Sequence, residues 1–207
     1  MKKAKKQIGL FFGTFNPIHV GHLIIASFIR QENNLDEIWF VVTPHNPHKN
    51  KSDLLSDLHR LSMVKEAIEN VYEFKASDIE FKMAQPNYTV DTLVHLTEAN
   101  PELDFSIIIG EDNLRSFHRW KNYEIILKNH TVFVFPRAIQ ESEESIQRDY
   151  ENAIAYKNFP KSFVFSKAPV IDISSSMIRK MIKNKQDVQF LLTKEVLEYV
   201  DNMNFYR

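Results

Sequence analysis

Cysteine is absent from this chain of 207 residues, which removes disulfides, thiolate zinc sites and cysteine nucleophiles together. Glycine is nearly as scarce. Gly9, Gly13, Gly21 and Gly110 are the whole supply, against an average usage of roughly 7%. Four glycines so placed form neither a GxGxxG fingerprint nor a Walker A loop, so any nucleotide must be held without those devices. No apolar run approaches the ~20 residues of a membrane span. An excess of one charge is missing too: Lys+Arg number 26 against Asp+Glu 27, a net of −1. Nothing in that balance asks for a polyanionic partner, so neither nucleic acid nor a membrane is expected as a ligand.

What is present is ordinary globular balance, with 43% apolar and 26% charged residues, which excludes disorder as the default. A chain of this length buries roughly 70–75% of its unfolded surface and needs no staples. One domain over residues 1–207 is expected, its C-terminal helical part from about 174 to 207 packed on the core. The basic start at Met1–Lys6 is followed by only a short apolar run, Ile8–Phe12, too brief for the apolar region of a signal peptide. A cytoplasmic location is expected.

Strand patterns stand at Ile8–Phe12, Glu37–Thr43, Phe74–Phe81, Asp104–Ile109, Thr131–Phe135, Phe163–Phe165 and Val170–Ile173. Helical patterns stand at about Pro17–Gln31, Leu58–Glu69, Val90–Ala99, Asp112–Asn129, Ser176–Ile182 and Lys194–Met203. Alternation of the two predicts an α/β fold with a parallel sheet. The Pro136–Lys161 stretch reads as a dispensable insertion, with an exposed acidic helix at Gln140–Asn152.

In such a sheet, ligands bind beyond the carboxyl ends of the strands. The unusual residues gather there: Gly13–His22, Pro44–Lys49, Gly110–Asp112 and Ser174–Arg179. In Gly13-Thr-Phe-Asn-Pro-Ile-His-Val-Gly-His22, Asn16 suits an N-cap and Pro17 the first helical position. Free N–H groups and the positive end of the helix dipole would then favour a phosphate. Gly13 would allow close backbone approach, and Gly21 would leave room for a ligand. His19 and His22 fall on one helix face, about 5–6 Å apart at Cβ. HxxH by itself equally suits one surface and one core histidine. A zinc site would need a third ligand, and none stands at a telling spacing.

That segment resembles the T/SFDPxHxGH motif of the HxGH nucleotidyltransferase superfamily. Within it the chain is similar to the bacterial nicotinate-nucleotide adenylyltransferases of NAD synthesis. The matching pieces run in order along nearly the whole chain: Pro44-His-Asn-Pro-His-Lys49, His59-Arg-Leu-Ser-Met63, Asn87-Tyr-Thr-Val-Asp-Thr-Leu93, Ile109-Gly-Glu-Asp-Asn-Leu114 with Trp120, and Ile173-Ser-Ser-Ser-Met-Ile-Arg179. Two residues depart from the pattern: Phe12 replaces the first of the usual paired glycines, and Asn16 the commoner Asp.

The resemblance implies a Rossmann-like doubly wound sheet and attack by a mononucleotide phosphate on the α-phosphorus of ATP. Such chemistry needs positioning and charge stabilisation more than a general base. It implies His19, His22 and Arg179 as catalytic residues. ATP would meet these together with Gly13, Thr14, Phe15, Gly110, Asp112, Ser174, Ser175 and Ser176. The mononucleotide would meet Lys49, Tyr88, Thr89, Asp112 and Trp120. Magnesium would arrive with ATP, held mostly by phosphates and water. A homo-oligomer is compatible with the resemblance. His45 and His48 read as structural loop residues, and Arg60 as structural. No Lys or Arg falls between Met83 and Pro101, so a nicotinate carboxylate would be read by dipoles instead of a salt bridge. Competing readings are another transferase of the superfamily, acting on nicotinamide mononucleotide, phosphopantetheine or a sugar or alcohol phosphate; a non-catalytic nucleotide-binding regulator; and a zinc hydrolase.

Overall fold

The structure, a computed structural model, describes residues 4–44, 54–137 and 162–207. Six strands form one sheet: β1 Lys6–Gly13, β2 Glu37–Val42, β3 Phe74–Ser77, β4 Leu103–Gly110, β5 Val132–Phe135 and β6 Phe163–Phe165. Their order is β3-β2-β1-β4-β5-β6, with every neighbouring pair parallel. The strand order therefore reverses between β1 and β4, where a doubly wound sheet opens a crevice at its carboxyl edge. The expected α/β parallel sheet is present. Among the described residues no helix is long and apolar enough to cross a membrane.

Alternation along β1 divides two cores. Ile8 and Leu10 face one side with Ile107, Ile109 and Leu93. Phe11 faces the other with Phe40, Ile108 and residues of the covering helices. Those helices are α1 Val20–Glu32, α2 Asp57–Ile68, and the late pair α6 Ser175–Lys183 and α7 Lys194–Asn202. The opposite layer is built on α3 Thr89–Ala99, a short α4 Glu111–Leu114 and α5 Tyr123–Asn129. With both faces covered, the central strands carry near-continuous apolar runs, Ile8–Phe12 and Ile107–Ile109 among them.

Four local expectations change. Helix α1 starts at Val20 with His19 as N-cap; Asn16 and Pro17, joined by a cis bond, precede it. Asn16 cannot act as the cap because its Oδ1 already accepts from the Leu55 N–H and the Tyr206 hydroxyl. The helical stretch predicted over Asp112–Asn129 is broken into α4, a 3₁₀ turn at Phe117–Arg119 and α5. Phe117, fully buried, turns into the core against Phe163, and Asn122 adopts a left-handed φ of 50°. Beyond β3, residues Ile79–Lys82 form a 3₁₀ turn instead of extending the strand. Val170–Ile173 is no strand. Its alternation is real, but Ile171 and Ile173 pack on the helical layer of the core instead of entering a ladder.

Arg60 on α2 is fully buried. Its Nη1 donates to the carbonyls of Thr14 (2.6 Å) and Thr43 (2.8 Å), and its Nε to that of Leu55 (3.1 Å). Nη2 pairs with Asp57. One side chain thus ties the loop after β1, the end of β2 and the start of the α2 segment, as a structural residue. Replacing it by methionine strands three carbonyls, each worth about 1–3 kcal/mol. Arg60→Met is expected to destabilise by at least about 3 kcal/mol, a fall in Tm of roughly 6–12 °C for a chain this size. Thermal unfolding followed by calorimetry checks this, and a Tm within about 2 °C of the parent would refute it.

Candidate active site

The carboxyl ends of β1 and β4 open into a cleft of ≈ 980 Å³. The stretch from the end of β1 to the first turn of α1 supplies Gly13, Thr14, Phe15, His19 and His22 to its wall, and α6 supplies Ser175, Ser176 and Arg179. Gly110, Tyr88, Thr89 and Trp120 line it as well. These predicted residues, distant in sequence, are brought together. Asp112 and Ser174 do not line it. Ser174 caps α6, its Oγ accepting from the Met177 N–H. Asp112 faces Arg137 at 3.5 Å. Lys49, His45, His48 and the acidic 140–152 segment lie outside the described residues.

Two of the expected glycines are required by packing. A Cβ on Gly21 would come within 2.8 Å of Ile171 and 3.0 Å of the His19 ring, and one on Gly13 within 2.8 Å of the Phe15 ring. Both make room for the protein's own side chains. Phe15, at a left-handed φ of 47°, is buried and folds its ring under the loop. Phe12 packs on the opposite core layer and its ring forms cleft wall. The α1 N-terminus is also committed: the Val20 N–H donates to the Leu191 carbonyl at 3.0 Å, and the His22 N–H to that of His19. Two of the first three amides of α1 are thus already paired within the protein.

His19 and His22 stack, ring centroids 3.7 Å apart. The His19 backbone N–H donates to His22 Nδ1 at 3.2 Å, half of a capping box in which the N3 side chain reaches back to the cap. That acceptor role leaves the His22 proton on Nε2. His19 Nδ1, buried, has no partner among the described residues. Burial, and then the Arg137 charge, lowers His19 from 6.5 to about 4. Burial, His19 and Arg137 hold His22 well below its ordinary value. Both imidazoles are neutral near pH 7.

Arg137 is the residue that sequence reasoning missed. It lines the cleft just beyond β5, with its guanidinium 5.3 Å over the Phe135 ring. The stretch taken as dispensable from Pro136 onward therefore begins with a cleft residue. The strand-end rule that selected the other loops would have found it. Arg119 and Lys121 also reach the cleft, so cations stand near Tyr88 although none is close in sequence. Lys121 Nζ lies 4.6 Å over the Tyr88 ring and pairs with Asp91 at 2.9 Å. Tyr88 is the N-cap of α3, and Thr89 is its first residue.

Glu80, also unforeseen, is buried in the cleft wall. Its Oε1 accepts from the Thr92 hydroxyl at 2.9 Å, and its carbonyl from Asn87 Nδ2 at 2.7 Å. The 3₁₀ turn is thereby fastened to both the Asn87 loop and α3. Burial raises its carboxyl from 4.5 to about 7, the Thr92 bond opposing the shift. Among the described residues no three His, Asp or Glu side chains are grouped to hold a metal.

A cytidylyltransferase-like family model matches residues 10–181. A Flavobacterium johnsoniae protein named as a probable nicotinate-nucleotide adenylyltransferase is 51% identical over 201 residues, covering 97% of this chain and 99% of its own. A Caldicellulosiruptor bescii protein of the same name is 34% identical over 201 residues, with the same coverages. The fold matches the Plasmodium falciparum nicotinic acid mononucleotide adenylyltransferase solved with NaAD, at TM-score 0.75 and 23% identity over 97% of each chain.

Glu80 makes stability depend on pH. Its native pKa lies above the unfolded value, so its stabilisation is complete below about pH 4.5 and is lost as pH rises through about 7. A shift of this size corresponds to about 3 kcal/mol. Glu80→Gln keeps the acceptor for Thr92 without the charge. Between pH 5 and 8 it is expected to lose about 2–3 kcal/mol less stability than the parent. Denaturant midpoints at the two pH values test this; parallel losses would remove Glu80 as the cause.

Proposed function

The chain belongs to the nicotinate-nucleotide adenylyltransferases within the cytidylyltransferase-like family, and on that footing we propose that it transfers the adenylyl group of ATP to nicotinate mononucleotide. The products are nicotinate adenine dinucleotide and pyrophosphate, a step of NAD biosynthesis in the cytoplasm. Residues 1–207 are taken as one catalytic domain.

The observation that carries this reading is one cleft with two chemically distinct sets of lining residues. One set is the stacked histidines with Arg179 and Arg137; the other is Tyr88, Thr89 and Trp120, carried by elements of the opposite core layer. Its ≈ 980 Å³ lies at the upper end of ligand clefts, about 300–1,000 Å³, as two nucleotides in line require. In the reaction an oxygen of the mononucleotide phosphate bonds to the α-phosphorus. The bond from that phosphorus to the bridging oxygen breaks, and pyrophosphate leaves with the electron pair. Attacking and leaving groups are already ionised, so no general base is needed.

His22 donates from Nε2–H to the charge that grows on the transferring phosphoryl oxygens, with His19 beside it. Arg179 supplies a forked cation to the phosphates, and Arg137 a second positive charge. Trp120 and Tyr88 take the flat pyridine ring. Thr89 at the start of α3 presents its hydroxyl and the helix N-terminus to the nicotinate carboxylate, with the Lys121 charge above Tyr88 in support. Magnesium would arrive with ATP and neutralise phosphate charge, held mostly by phosphates and water.

His22→Ala is expected to lower kcat by about 10²–10³, the usual cost of removing one preorganised donor, with a much smaller change in KM for the mononucleotide. Near-parental turnover in a folded variant would overturn this role. Steady-state kinetics on acid and amide mononucleotides test the other end. A carboxamide places its NH₂ among donors, a mismatch of about 1–3 kcal/mol per group, so kcat/KM should favour the acid by at least about tenfold. Equal values would refute the assignment, and an unchanged ratio in Thr89→Val would exclude the threonine hydroxyl from it.

A further inference from the structure

The segment after α7 folds back to Asn16, a residue of the cleft wall. The Phe205 N–H donates to the Val200 carbonyl at 3.0 Å, folding the chain back over its own helix. Phe205 packs edge-on against His59, ring centroids 4.9 Å apart, and His59 Nδ1 lies 3.0 Å from the Tyr199 hydroxyl. Tyr206 then adopts a φ of 63°, a left-handed conformation uncommon for a bulky side chain. An unfavourable backbone conformation persists only where surrounding contacts hold it. Here the contact is a hydrogen bond: the Tyr206 hydroxyl donates to Asn16 Oδ1 at 2.8 Å.

Asn16 is the junction. Its Oδ1 takes the Tyr206 hydroxyl and the Leu55 N–H, while its own carbonyl accepts from Arg179 Nη1 at 2.9 Å. One residue on, the Pro17 carbonyl accepts from Ser175 Oγ at 2.8 Å. The second Arg179 nitrogen, Nη2, reaches Ser176 Oγ at 3.3 Å. The direction of the Arg179 fork is thus set by a carbonyl whose residue is gripped through its side chain. Burial pushes the Tyr206 hydroxyl above its ordinary pKa, so it stays a donor throughout the neutral range.

We propose that Tyr206 is a positioning residue for the triphosphate site, acting through Asn16 to aim the guanidinium of Arg179 into the cleft. It touches neither substrate. Its effect is confined to the nucleotide end, because Tyr88, Thr89 and Trp120 stand on other elements. The proposal rests on the adenylyl-transfer reading, which gives Arg179 its triphosphate partner; the hydrogen-bond chain from Tyr206 through Asn16 to Arg179 stands apart from it.

Tyr206→Phe keeps the ring and deletes the hydroxyl. The expected result is a KM for ATP raised roughly three- to tenfold, the range for one neutral hydrogen bond. KM for nicotinate mononucleotide should stay within about twofold, and Tm within a few degrees. Placed in an Arg179→Ala background, the same substitution should change KM for ATP by less than about twofold, since groups acting as a unit are non-additive. An unchanged KM for ATP, equal effects on both substrates, or full additivity with Arg179→Ala would each overturn the proposal. Calorimetric binding of α,β-methylene ATP to parent and Tyr206→Phe repeats the comparison without any acceptor. A parent that binds the analogue but forms no dinucleotide would sink the functional reading alone, while equal analogue affinities in both proteins would sink this one.

Discussion

Arg60 places a permanent positive charge where no water reaches and surrounds it with three carbonyls and one carboxylate. Burying a charge is tolerated only with such full compensation, so the carbonyls of Thr14, Thr43 and Leu55 must converge. That convergence brings the loop after β1, the end of β2 and the approach to α2 to one point at the rim of the cleft. Asn16 then sits within reach of the Leu55 N–H, and the carbonyl that receives Arg179 follows from it. The described cleft rim is in this sense an outgrowth of one guanidinium in the core.

The histidines show a related economy. Stacked and shielded beside Arg137, they are neutral, and a protein N–H fixes the His22 tautomer. They meet a ligand as oriented donors with little charge to desolvate. Negative charge brought beside them would favour the protonated state. Arg137 and Arg179, permanently charged, supply the long-range attraction.

At the other end the demand is on shape. The segment Pro86–Thr89 carries both the aromatic face of Tyr88 and the beginning of α3. It is held from behind by Glu80, whose carbonyl and carboxyl take Asn87 and Thr92. A neutral or half-protonated acid can do this without adding a full negative charge to the cleft wall.

How much of this could be read from residues alone follows from the range of the forces. The strands were legible because a doubly covered sheet demands near-continuous apolar runs, as in Ile38–Val42. The histidine pair, Arg179 and the Tyr88–Thr89 segment were legible through motifs. Arg137, Glu80 and Lys121 were not, since nothing near them in sequence marks them; they matter because folding sets them against distant groups. Asn16 carried a misleading local signal. Its side chain suits a helix cap, but two donors from residues 55 and 206 claimed the same oxygen. Sequence by itself determined the α/β architecture, the chemistry of the loops and the family. Which amides are already paired, which histidine nitrogen holds the proton and which carbonyl receives Arg179 were decided only by tertiary structure, because hydrogen-bond partners and burial are set by neighbours in space.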